Sequence, residues 1–250
     1  MASSRGKFHE TNEDSCRCGR DFVIIADGMG GESSGEVASQ IAVDSISEDI
    51  ARLSSVGSVS KIKDALLEAI IRADRRIQSY IESHPETYGM GTTVLVMYYY
   101  DNRLYIAWCG DSRCLLCRKG QLTSLTHDHS YVQELIDSKQ LSVEQSFMHP
   151  DNNLITRFVG GGEETCLPEY VSSEVLPDDK LILCSDGLCG YCRPSEICKT
   201  ITSSDDLSEL PSVLLNLALD CGSDDDITVV AAGVAPKINL FNKIRRIFSR

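Results

Sequence analysis

Hydrophobic residues recur at the spacing of an amphipathic helix in two segments of the first third of the chain. Residues 35–53 place aliphatic side chains at roughly helical intervals, and residues 60–83 do so more regularly. A helix with this pattern buries one stripe against a core and exposes its opposite face. Ser60 can cap the second helix by accepting a hydrogen bond from a first-turn N–H. The pattern predicts two helices here, and weaker patterns predict two more over 130–148 and 206–220.

Short runs of β-branched, aliphatic and aromatic residues predict strands elsewhere. The first covers residues 21–26 and ends at the turn-forming pair Asp27-Gly28. Further strands are predicted over 92–100, 103–109, 113–118, 170–175, 180–184 and 227–234. Their connections are short, as at Asp101-Asn102 and Lys119-Gly120, so neighbouring strands should pair antiparallel. Helices and hairpins in this order indicate a mixed, layered α/β domain.

Composition and charge narrow the class of protein. The chain has 250 residues, of which 42% are hydrophobic, enough for one large domain or two small ones with a buried core. Its net charge of −13 argues against a general nucleic-acid binder, which would present a basic face. No apolar run approaches the ~20 residues that span a bilayer as a helix.

The cysteines indicate a compartment. There are eleven, an odd number without even spacing, and no signal peptide opens the sequence. These features predict reduced thiols and a cytoplasmic location. Two Cys-x-x-Cys pairs, Cys114/Cys117 and Cys189/Cys192, lie far apart in apolar runs. A zinc site needs a second pair nearby, so we interpret both pairs as buried structural thiols.

Candidate chemistry lies in five short acidic motifs at predicted turns or strand ends. They are Asn12-Glu13-Asp14, Asp27-Gly28-Met29-Gly30-Gly31, Gly110-Asp111-Ser112-Arg113, Ser185-Asp186-Gly187 and Asp224-Asp225-Asp226-Ile227-Thr228-Val229. Carboxylates crowded together repel one another unless a cation neutralises them. Oxygen ligands of this kind suit Mg²⁺ or Mn²⁺ rather than zinc, and a neighbouring glycine lets the backbone approach the ion. One Asp-Gly pair alone is most often a surface turn, so the ordered set carries the argument.

In this order, with Gly91-Thr92-Thr93 among them, the motifs resemble those of the metal-dependent Ser/Thr protein phosphatases of type 2C (PPM), especially their bacterial branch. Residues 125–130 and 149–157 are similar to that family as well. The resemblance covers about residues 6–234. It implies an α+β fold, a four-layer α-β-β-α sandwich with two mostly antiparallel central sheets flanked by helix pairs.

The resemblance also implies how the chain is divided. A phosphatase catalytic domain would span residues 1–235, with a flap over about 130–162 beside the metal cleft. A basic amphipathic tail over 236–250 would follow, because this segment combines five basic residues with apolar residues at helical spacing. For the tail, the sequence leaves open a frayed end or a weak contact with a partner or an anionic membrane.

The site that the resemblance implies is a metal centre of two or three Mg²⁺ or Mn²⁺ ions. Its ligands would be Asp27, the Gly28 carbonyl, Asp186, Asp225 and Asp111, with Glu13 or Asp14 assisting directly or through water. Asp27 would bridge two ions, and Asp111 would help to hold the third. The implied reaction is hydrolysis of phosphoserine and phosphothreonine by a metal-bridging hydroxide, without a covalent phosphoenzyme.

Four positions depart from the family pattern. His9 stands where the family commonly has an arginine that grips the substrate phosphate, so it is a catalytic candidate with a weaker, pH-dependent grip. Met29 replaces the histidine of many eukaryotic members, so water would protonate the leaving alkoxide. Asp226 replaces an asparagine and adds negative charge. The flap has residues 151–153, Asp-Asn-Asn, where a basic residue is common.

Several other residues have expected supporting roles. His127 and His129 should pin the start of the flap rather than bind zinc, and Trp108 should belong to the core. Thr92 and Thr93 should support the metal cleft. For Arg113 the sequence leaves open an ion pair at the cleft edge or a surface position.

The implied partners are phosphorylated proteins and a cognate Ser/Thr kinase pathway, with no nucleic acid. Three other functions stay open from the sequence. One is a pseudophosphatase that binds without catalysis, which His9 alone favours. Another is a two-metal phosphoesterase acting on small molecules, although such sites usually include histidine. The last is an acidic partner-binding domain whose Asp-Gly turns are incidental.

Overall fold

The computed structural model describes residues 1–30, 34–53 and 60–233. Its strands are β1 (Ala2–Ser4), β2 (Asp14–Cys18), β3 (Phe22–Met29), β4 (Gly91–Thr92), β5 (Val94–Tyr100), β6 (Arg103–Cys109), β7 (Arg113–Arg118), β8 (Gln121–Ser124), β9 (Glu169–Glu174), β10 (Lys180–Cys184) and β11 (Ile227–Gly233). Its α-helices are α1 (Gly35–Leu53), α2 (Ser60–Ser83), α3 (Tyr131–Asp137), α4 (Val143–Ser146), α5 (Asp186–Cys189), α6 (Pro194–Ser203) and α7 (Leu210–Asp220).

The strands form two sheets. The first has the order β1-β11-β10-β7-β8, and the second has the order β2-β3-β5-β6-β9, with β4 beside β3. Neighbouring strands pair antiparallel throughout both sheets. The short connections therefore lead to the pairing that the sequence predicts.

Strand β3 shows why the central strands are hydrophobic at every position. Ile24 and Ala26 belong to the cluster that includes α1 and α2, whereas Val23 and Ile25 belong to the cluster between the sheets. Side chains alternate between the two faces of a strand, so a strand covered on both sides must be apolar throughout. The polar residue Asp27 comes only where the strand reaches its end.

Three hydrophobic clusters separate four layers. Ile46 of α1 and Ile70 of α2 pack on the second sheet. Leu95 and Leu183 meet between the two sheets. Leu214 of α7 packs on the first sheet together with side chains of α5 and α6. This arrangement confirms the predicted four-layer α-β-β-α sandwich.

The flap is helical in two separate pieces. The helical segment predicted over 130–148 contains the two short helices α3 and α4, with a break between them. Lys139 takes a left-handed φ of 60°, which a continuing right-handed helix excludes. Ser142 then starts α4 with a capping box to Gln145.

Other boundaries also differ from the sequence patterns. The helix predicted over 206–220 begins only at Leu210, and the strand predicted over 92–100 is interrupted at Thr93. Helices α5 and α6 and strands β1, β2 and β8 were not predicted. Most of these elements are too short for a periodic pattern, although Pro194 at the start of α6 is a helix-start signal.

Within the described residues, no helix has the length and apolar character needed to cross a membrane. The predicted boundary at residue 235 and the tail over 236–250 lie outside the described residues. All eleven cysteines are described and are free thiols. The two Cys-x-x-Cys pairs are buried, as predicted.

Candidate metal centre and active site

Asp27 is held at the end of β3 by the start of the neighbouring hairpin. Its N–H donates to Thr93 Oγ1 at 3.0 Å, and its carbonyl accepts from the Thr93 N–H at 2.8 Å and the Thr92 hydroxyl at 2.9 Å. Three hydrogen bonds fix the backbone that carries the carboxylate. Thr92 and Thr93 therefore have the supporting role expected of them.

Gly28 lies where no larger residue fits. A Cβ atom at this position would be 2.1 Å from the carbonyl oxygen of Gly35 and 2.6 Å from that of Glu13. The Gly28 N–H donates to the Glu13 carbonyl at 3.2 Å. The close approach of three backbone segments explains the glycine after Asp27.

Asp14 joins Asp27 through strand pairing. The two residues are partners in the register of β2 and β3. Ser185 fixes Asp14 from the other sheet, since its hydroxyl donates to Asp14 Oδ2 at 2.9 Å and accepts from the Thr228 N–H at 2.9 Å. The sequence alone predicts no role for Ser185. The signal available was a hydroxyl residue directly before Asp186 in one of the acidic motifs.

Three more predicted ligands line one cavity of about 140 Å³. Asp186 begins α5, Asp225 precedes β11, and the buried Asp111 precedes β7. The other side of the cavity is formed by the flap, including Asn152 and Asn153.

Burial and mutual repulsion raise the pKa of the carboxyl groups at this cleft. Burial raises the pKa of Asp27 well above its usual range, and the charges of Asp14, Asp186, Asp225 and Asp111 raise it further. Burial raises the pKa of Asp14 to about 7. Burial and then the charge of Asp186 raise the pKa of Asp225 to about 6. A cation among these groups would relieve the repulsion, so the electrostatics favour one.

The donor set fits a hard divalent cation. Oδ1 of Asp14 and Oδ1 of Asp186 are buried and accept no hydrogen bond. Within residues 1–30, 34–53 and 60–233, no three Asp, Glu, His or Cys side chains are placed so that they could hold one metal ion together. Bound Mg²⁺ or Mn²⁺ would therefore need water for the rest of its coordination, as Mg²⁺ commonly does.

Glu13 is not among the carboxylates whose charges act on Asp27. Its carboxylate approaches Gly35 at the start of α1, where a Cβ atom would be 2.4 Å from Glu13 Oε2. Burial and the charge of Glu36 raise the pKa of Glu13. Of the two residues expected to assist the metal ions, Asp14 is the one grouped with Asp27.

Comparison with known protein families shows which family the chain belongs to. Residues 3–135 match the family described as Protein phosphatase 2C. The chain belongs to the protein phosphatase 2C family. The predicted family is thereby confirmed.

Bacterial members of the 2C family are similar over most of the chain. The serine/threonine protein phosphatase PstP of Mycobacterium tuberculosis is 36% identical over 235 residues, which are 93% of this chain and 44% of PstP. The serine/threonine phosphatase stp of Listeria monocytogenes is 34% identical over 236 residues, which are 91% of this chain and 92% of stp. The chain therefore spans less than half the length of the mycobacterial relative.

A solved structure of the 2C family has the same fold. It is the catalytic domain of PstP in complex with two manganese ions, with a TM-score of 0.82 and 33% identity over 94% of this chain and 96% of that chain. The names of these relatives agree with the predicted class of Ser/Thr phosphatase and with metal dependence. They do not favour a pseudophosphatase or a small-molecule phosphoesterase.

Asp226, one of the four positions that depart from the family pattern, holds the N-terminal loop. It is buried, and its Oδ1 accepts from the Gly6 N–H at 2.6 Å while its Oδ2 accepts from the Glu13 N–H at 2.6 Å. Both ends of the loop that carries His9 are therefore tied to one carboxylate. From the sequence alone, only the extra negative charge of Asp226 is expected.

His9 lies beside two carboxylates in this loop. Its Nδ1 is 3.1 Å from Asp226 Oδ2, and its Nε2 is 4.0 Å from Asp225 Oδ1. The contact with Asp226 raises the pKa of His9, which outweighs the opposite effect of burial. The imidazole of His9 therefore lies next to the candidate metal ligand Asp225, and its surroundings favour the protonated, positively charged ring.

Arg113 forms an ion pair at the cleft edge, which answers the question left open by the sequence. Its Nε donates to both carboxylate oxygens of Asp128 at 2.9 Å, and its Nη2 donates to Oδ2 at 2.5 Å. His129, next to Asp128, makes two hydrogen bonds to Gly110. Its ring Nδ1 accepts from the Gly110 N–H at 3.1 Å, and its backbone N–H donates to the Gly110 carbonyl at 3.1 Å. These contacts anchor the start of the flap to the turn that carries Asp111.

Proposed function

We propose that this chain is a metal-dependent phosphatase that hydrolyses phosphoserine and phosphothreonine in proteins. The observation that carries the proposal is a group of carboxylates from distant parts of the chain that raise one another's pKa beside a cavity walled by the flap. They are Asp14, Asp27, Asp111, Asp186 and Asp225. At neutral pH such a group either stays partly protonated or binds cations, and cations leave all of its carboxylates ionised.

The metal centre would hold two ions, Mg²⁺ or Mn²⁺, and a third more weakly. Asp27, the Gly28 carbonyl, Asp186 and Asp225 would bind the two, and Asp111 would assist with the third. Bound ions of this kind lower the pKa of a coordinated water and neutralise charge on the phosphoryl oxygens. Two manganese ions in the structure of the PstP catalytic domain support this number.

The residues of the chain would position the phosphoryl group and the ligands. Hydrogen bonds from Thr92, Thr93 and Ser185 would keep Asp27 and Asp14 in place. This matters because the side chains of a productive site must stay within about 0.5 Å of their working positions. Arg113 lines the cavity with its guanidinium fixed by Asp128, so it can attract a phosphate dianion.

Two departures from the family shape this proposal. His9 would contact the substrate phosphate in place of an arginine, through one charged hydrogen bond rather than a bidentate pair. Met29 has no proton to give, so solvent water would protonate the serine or threonine alkoxide.

The direct test is phosphate release from a phosphothreonine peptide with Mn²⁺ and with excess EDTA. We expect activity that requires Mn²⁺ and that falls by at least about 10²-fold in Asp186→Ala, which is the order of loss when one group that stabilises transition-state charge is removed. Asp220→Ala is the matched control, because Asp220 is an exposed acid at the last turn of α7. Full turnover in EDTA, or in Asp186→Ala, would refute the proposal.

A substrate panel separates the remaining functions. Phosphopeptides should be hydrolysed in preference to nucleotides and sugar phosphates, because the cavity opens at the surface beside the flap, where a peptide chain can lie. A folded, Mn²⁺-loaded protein that binds phosphopeptides without releasing phosphate would identify a pseudophosphatase.

The proposed reaction also suggests a source of substrates and a cellular compartment. A Ser/Thr kinase would supply the phosphoproteins, and eleven free thiols favour a reducing compartment such as the cytoplasm. Residues 236–250 would add a weak contact with a partner or an anionic membrane. Co-sedimentation with anionic liposomes, with and without this segment, tests the membrane contact, and equal pellets would discard it.

A further inference from the structure

Two thiols lie in contact behind the cleft. Cys192 Sγ is 3.0 Å from Cys221 Sγ, although 28 residues separate them in sequence. Cys192 is buried in the cluster beneath the first sheet, and Cys221 is partly exposed at its edge. Neither thiol has a place in the proposed phosphatase mechanism.

The backbone on each side of this pair is fixed. The Cys192 N–H donates to the Leu188 carbonyl at 3.0 Å, and the Cys221 N–H donates to the Leu217 carbonyl at 2.9 Å. Gly222, with a φ of 92°, then turns the chain away from α7. The S–S bond of a disulfide is about 2.05 Å long, so the two sulfurs need to approach by only about 1 Å.

We propose that Cys192 and Cys221 form a reversible disulfide, with a hydroperoxide such as hydrogen peroxide as the oxidant and a small thiol as the reductant. In the first step, the thiolate of Cys221 attacks one peroxide oxygen and the O–O bond breaks. The released hydroxide takes a proton to form water, and Cys221 becomes a sulfenic acid.

In the second step, the sulfur of Cys192 attacks the sulfur of Cys221. The S–O bond breaks, and the departing hydroxide takes the proton of the Cys192 thiol to form a second water. Two thiols and one peroxide thus give one disulfide and two waters, with two electrons passing from sulfur to oxygen. A thiol reductant reverses the change by exchange at Cys221.

Exposure decides the order of these steps. Cys221 is accessible to a solute, whereas Cys192 is fully buried. Burial also raises the pKa of the Cys192 thiol, so it is a poor first target for peroxide. It is well placed as the resolving thiol, because its reaction partner is already in contact.

The disulfide would join the two segments that carry Asp186 and Asp225. Asp186 begins the helix that precedes Cys192, and Asp225 lies four residues after Cys221. Between them, the Tyr191 hydroxyl donates to Asp224 Oδ1 at 2.5 Å, and Tyr191 lines the cavity. Oxidation is therefore a covalent change next to the candidate metal ligands. The disulfide itself does not depend on the proposed phosphatase activity.

The test is peptide mapping of the full chain after oxidation. The reduced protein is treated with hydrogen peroxide in the presence of a chelator, alkylated and cleaved with trypsin. Cys221 falls in the peptide 200–237. Cys192 shares the peptide 181–199 with Cys184, Cys189 and Cys198, because trypsin does not cut before Pro194, so tandem mass spectrometry must assign the link. We expect a Cys192–Cys221 cross-link that dithiothreitol removes.

Variants make the result specific. Cys198→Ser should retain the cross-link, since Cys198 is a partly exposed thiol on α6 that contacts the Gly120 carbonyl. Cys221→Ser should abolish it, and Cys192→Ala should leave Cys221 as a sulfenic acid that dimedone traps. Complete alkylation of both thiols after other cysteines have been oxidised would overturn the proposal. Cross-linking of Cys221 to a different cysteine would overturn it as well. Because the readout is a cross-link, its failure is distinct from failure of the phosphatase assay.

Discussion

Asp14 and Asp27 lie directly opposite each other in the antiparallel register of β2 and β3. Like charges at opposed positions destabilise a strand pair, and both carboxyl groups here have a raised pKa caused first by burial. The sheet therefore places a repulsive pair at its end, where a divalent cation can stabilise it. Folding and metal binding should be coupled through this pair.

The first prediction concerns that coupling. Saturation with Mn²⁺ at 100 times its Kd should stabilise the wild type by about 2.7 kcal/mol. Asp27→Asn should lose most of this gain, because a neutral amide is a poorer ligand. Without metal, the variant should be at least as stable as the wild type, since one repulsive charge is gone. Thermal unfolding with and without Mn²⁺ gives both quantities.

Asp21→Asn is the control for this experiment. Asp21 is an exposed acid directly before β3, so the same chemical change should leave the Mn²⁺ effect intact. An equal Mn²⁺-induced shift in Asp27→Asn and in the wild type would contradict the assigned site.

The second prediction concerns Asp226. In Asp226→Asn one carboxylate oxygen becomes an NH₂ group, which cannot accept from the Gly6 or Glu13 N–H. One buried donor is then left without a partner, at a cost of about 1–3 kcal/mol. Hydrogen exchange should show faster exchange at Gly6 and Glu13, and urea unfolding should show the loss of stability.

Asp224→Asn serves for comparison, because Asp224 belongs to the same acidic run but is exposed. It should change the free energy of unfolding by less than about 1 kcal/mol. If Asp226→Asn left the exchange at Gly6 and Glu13 unchanged, the loop would not depend on this carboxylate.

The third prediction concerns the ion pair of Arg113 and Asp128. Removing one partner of a buried pair costs about 3–5 kcal/mol, and Arg113 is partly exposed, so Arg113→Ala should cost about 2–3 kcal/mol. Arg113→Lys should recover only part of this loss, because lysine lacks the fork that binds Asp128. Chemical unfolding measures the free energies, and the KM for phosphopeptide should rise in both variants.

An exposed pair provides the contrast. Arg103 and Glu174 pair across β6 and β9 at 3.0 Å with both side chains exposed. Arg103→Ala should therefore cost at most about 1 kcal/mol and leave the KM unchanged. Equal costs for Arg103→Ala and Arg113→Ala would show that burial of the pair has no energetic role.

The fourth prediction is a dependence of stability on pH at a site far from the metal ligands. Burial alone would raise the pKa of Asp179, but hydrogen bonds from Arg118 and from the Leu176 N–H outweigh it and lower the pKa. A carboxyl with a lowered pKa in the folded state contributes stability above its unfolded pKa of about 3.9. That stability is lost as the pH falls through the lower folded value.

Asp179→Asn should therefore be less stable than the wild type at pH 7, by about 1.5–3 kcal/mol for hydrogen bonds to a charged group. The difference should shrink as the pH falls below about 4. Asp178→Asn is the control, because Asp178 is exposed and its φ of 70° suits asparagine. A difference for Asp179→Asn that stays constant between pH 7 and pH 3 would contradict the assigned pKa direction.

Much of the fold could be predicted because its signals are local. The hydrophobic stripe of α2 extends over six turns. The residues buried along it, including Ile62, Leu66, Ile70 and Ile77, are those of the predicted apolar face. The hairpin of β5 and β6 turns at Asp101 and Asn102, whose φ angles of 48° and 58° are those of a two-residue turn. These features depend on residues a few positions apart.

Elements that depend on distant partners were missed or misjudged. Strand β2 has exposed residues at its end and exists because it pairs with β3. Strand β1 pairs with β11, more than 200 residues later. The composition over 130–148 predicts helical structure but not the break in it, which follows the left-handed conformation at Lys139. A local pattern carries no information on such partners.

The sequence by itself determined the layered fold class, the residue types of a hard-cation site and their order along the chain. Only the tertiary structure decided which of those residues meet. It grouped Asp14 rather than Glu13 with Asp27, made Asp226 the anchor of the N-terminal loop, and brought Cys192 against Cys221. The physical reason is that hydrogen bonding along a helix or turn is fixed by neighbouring residues. The meeting of side chains far apart in sequence is fixed by strand register and by the packing of layers.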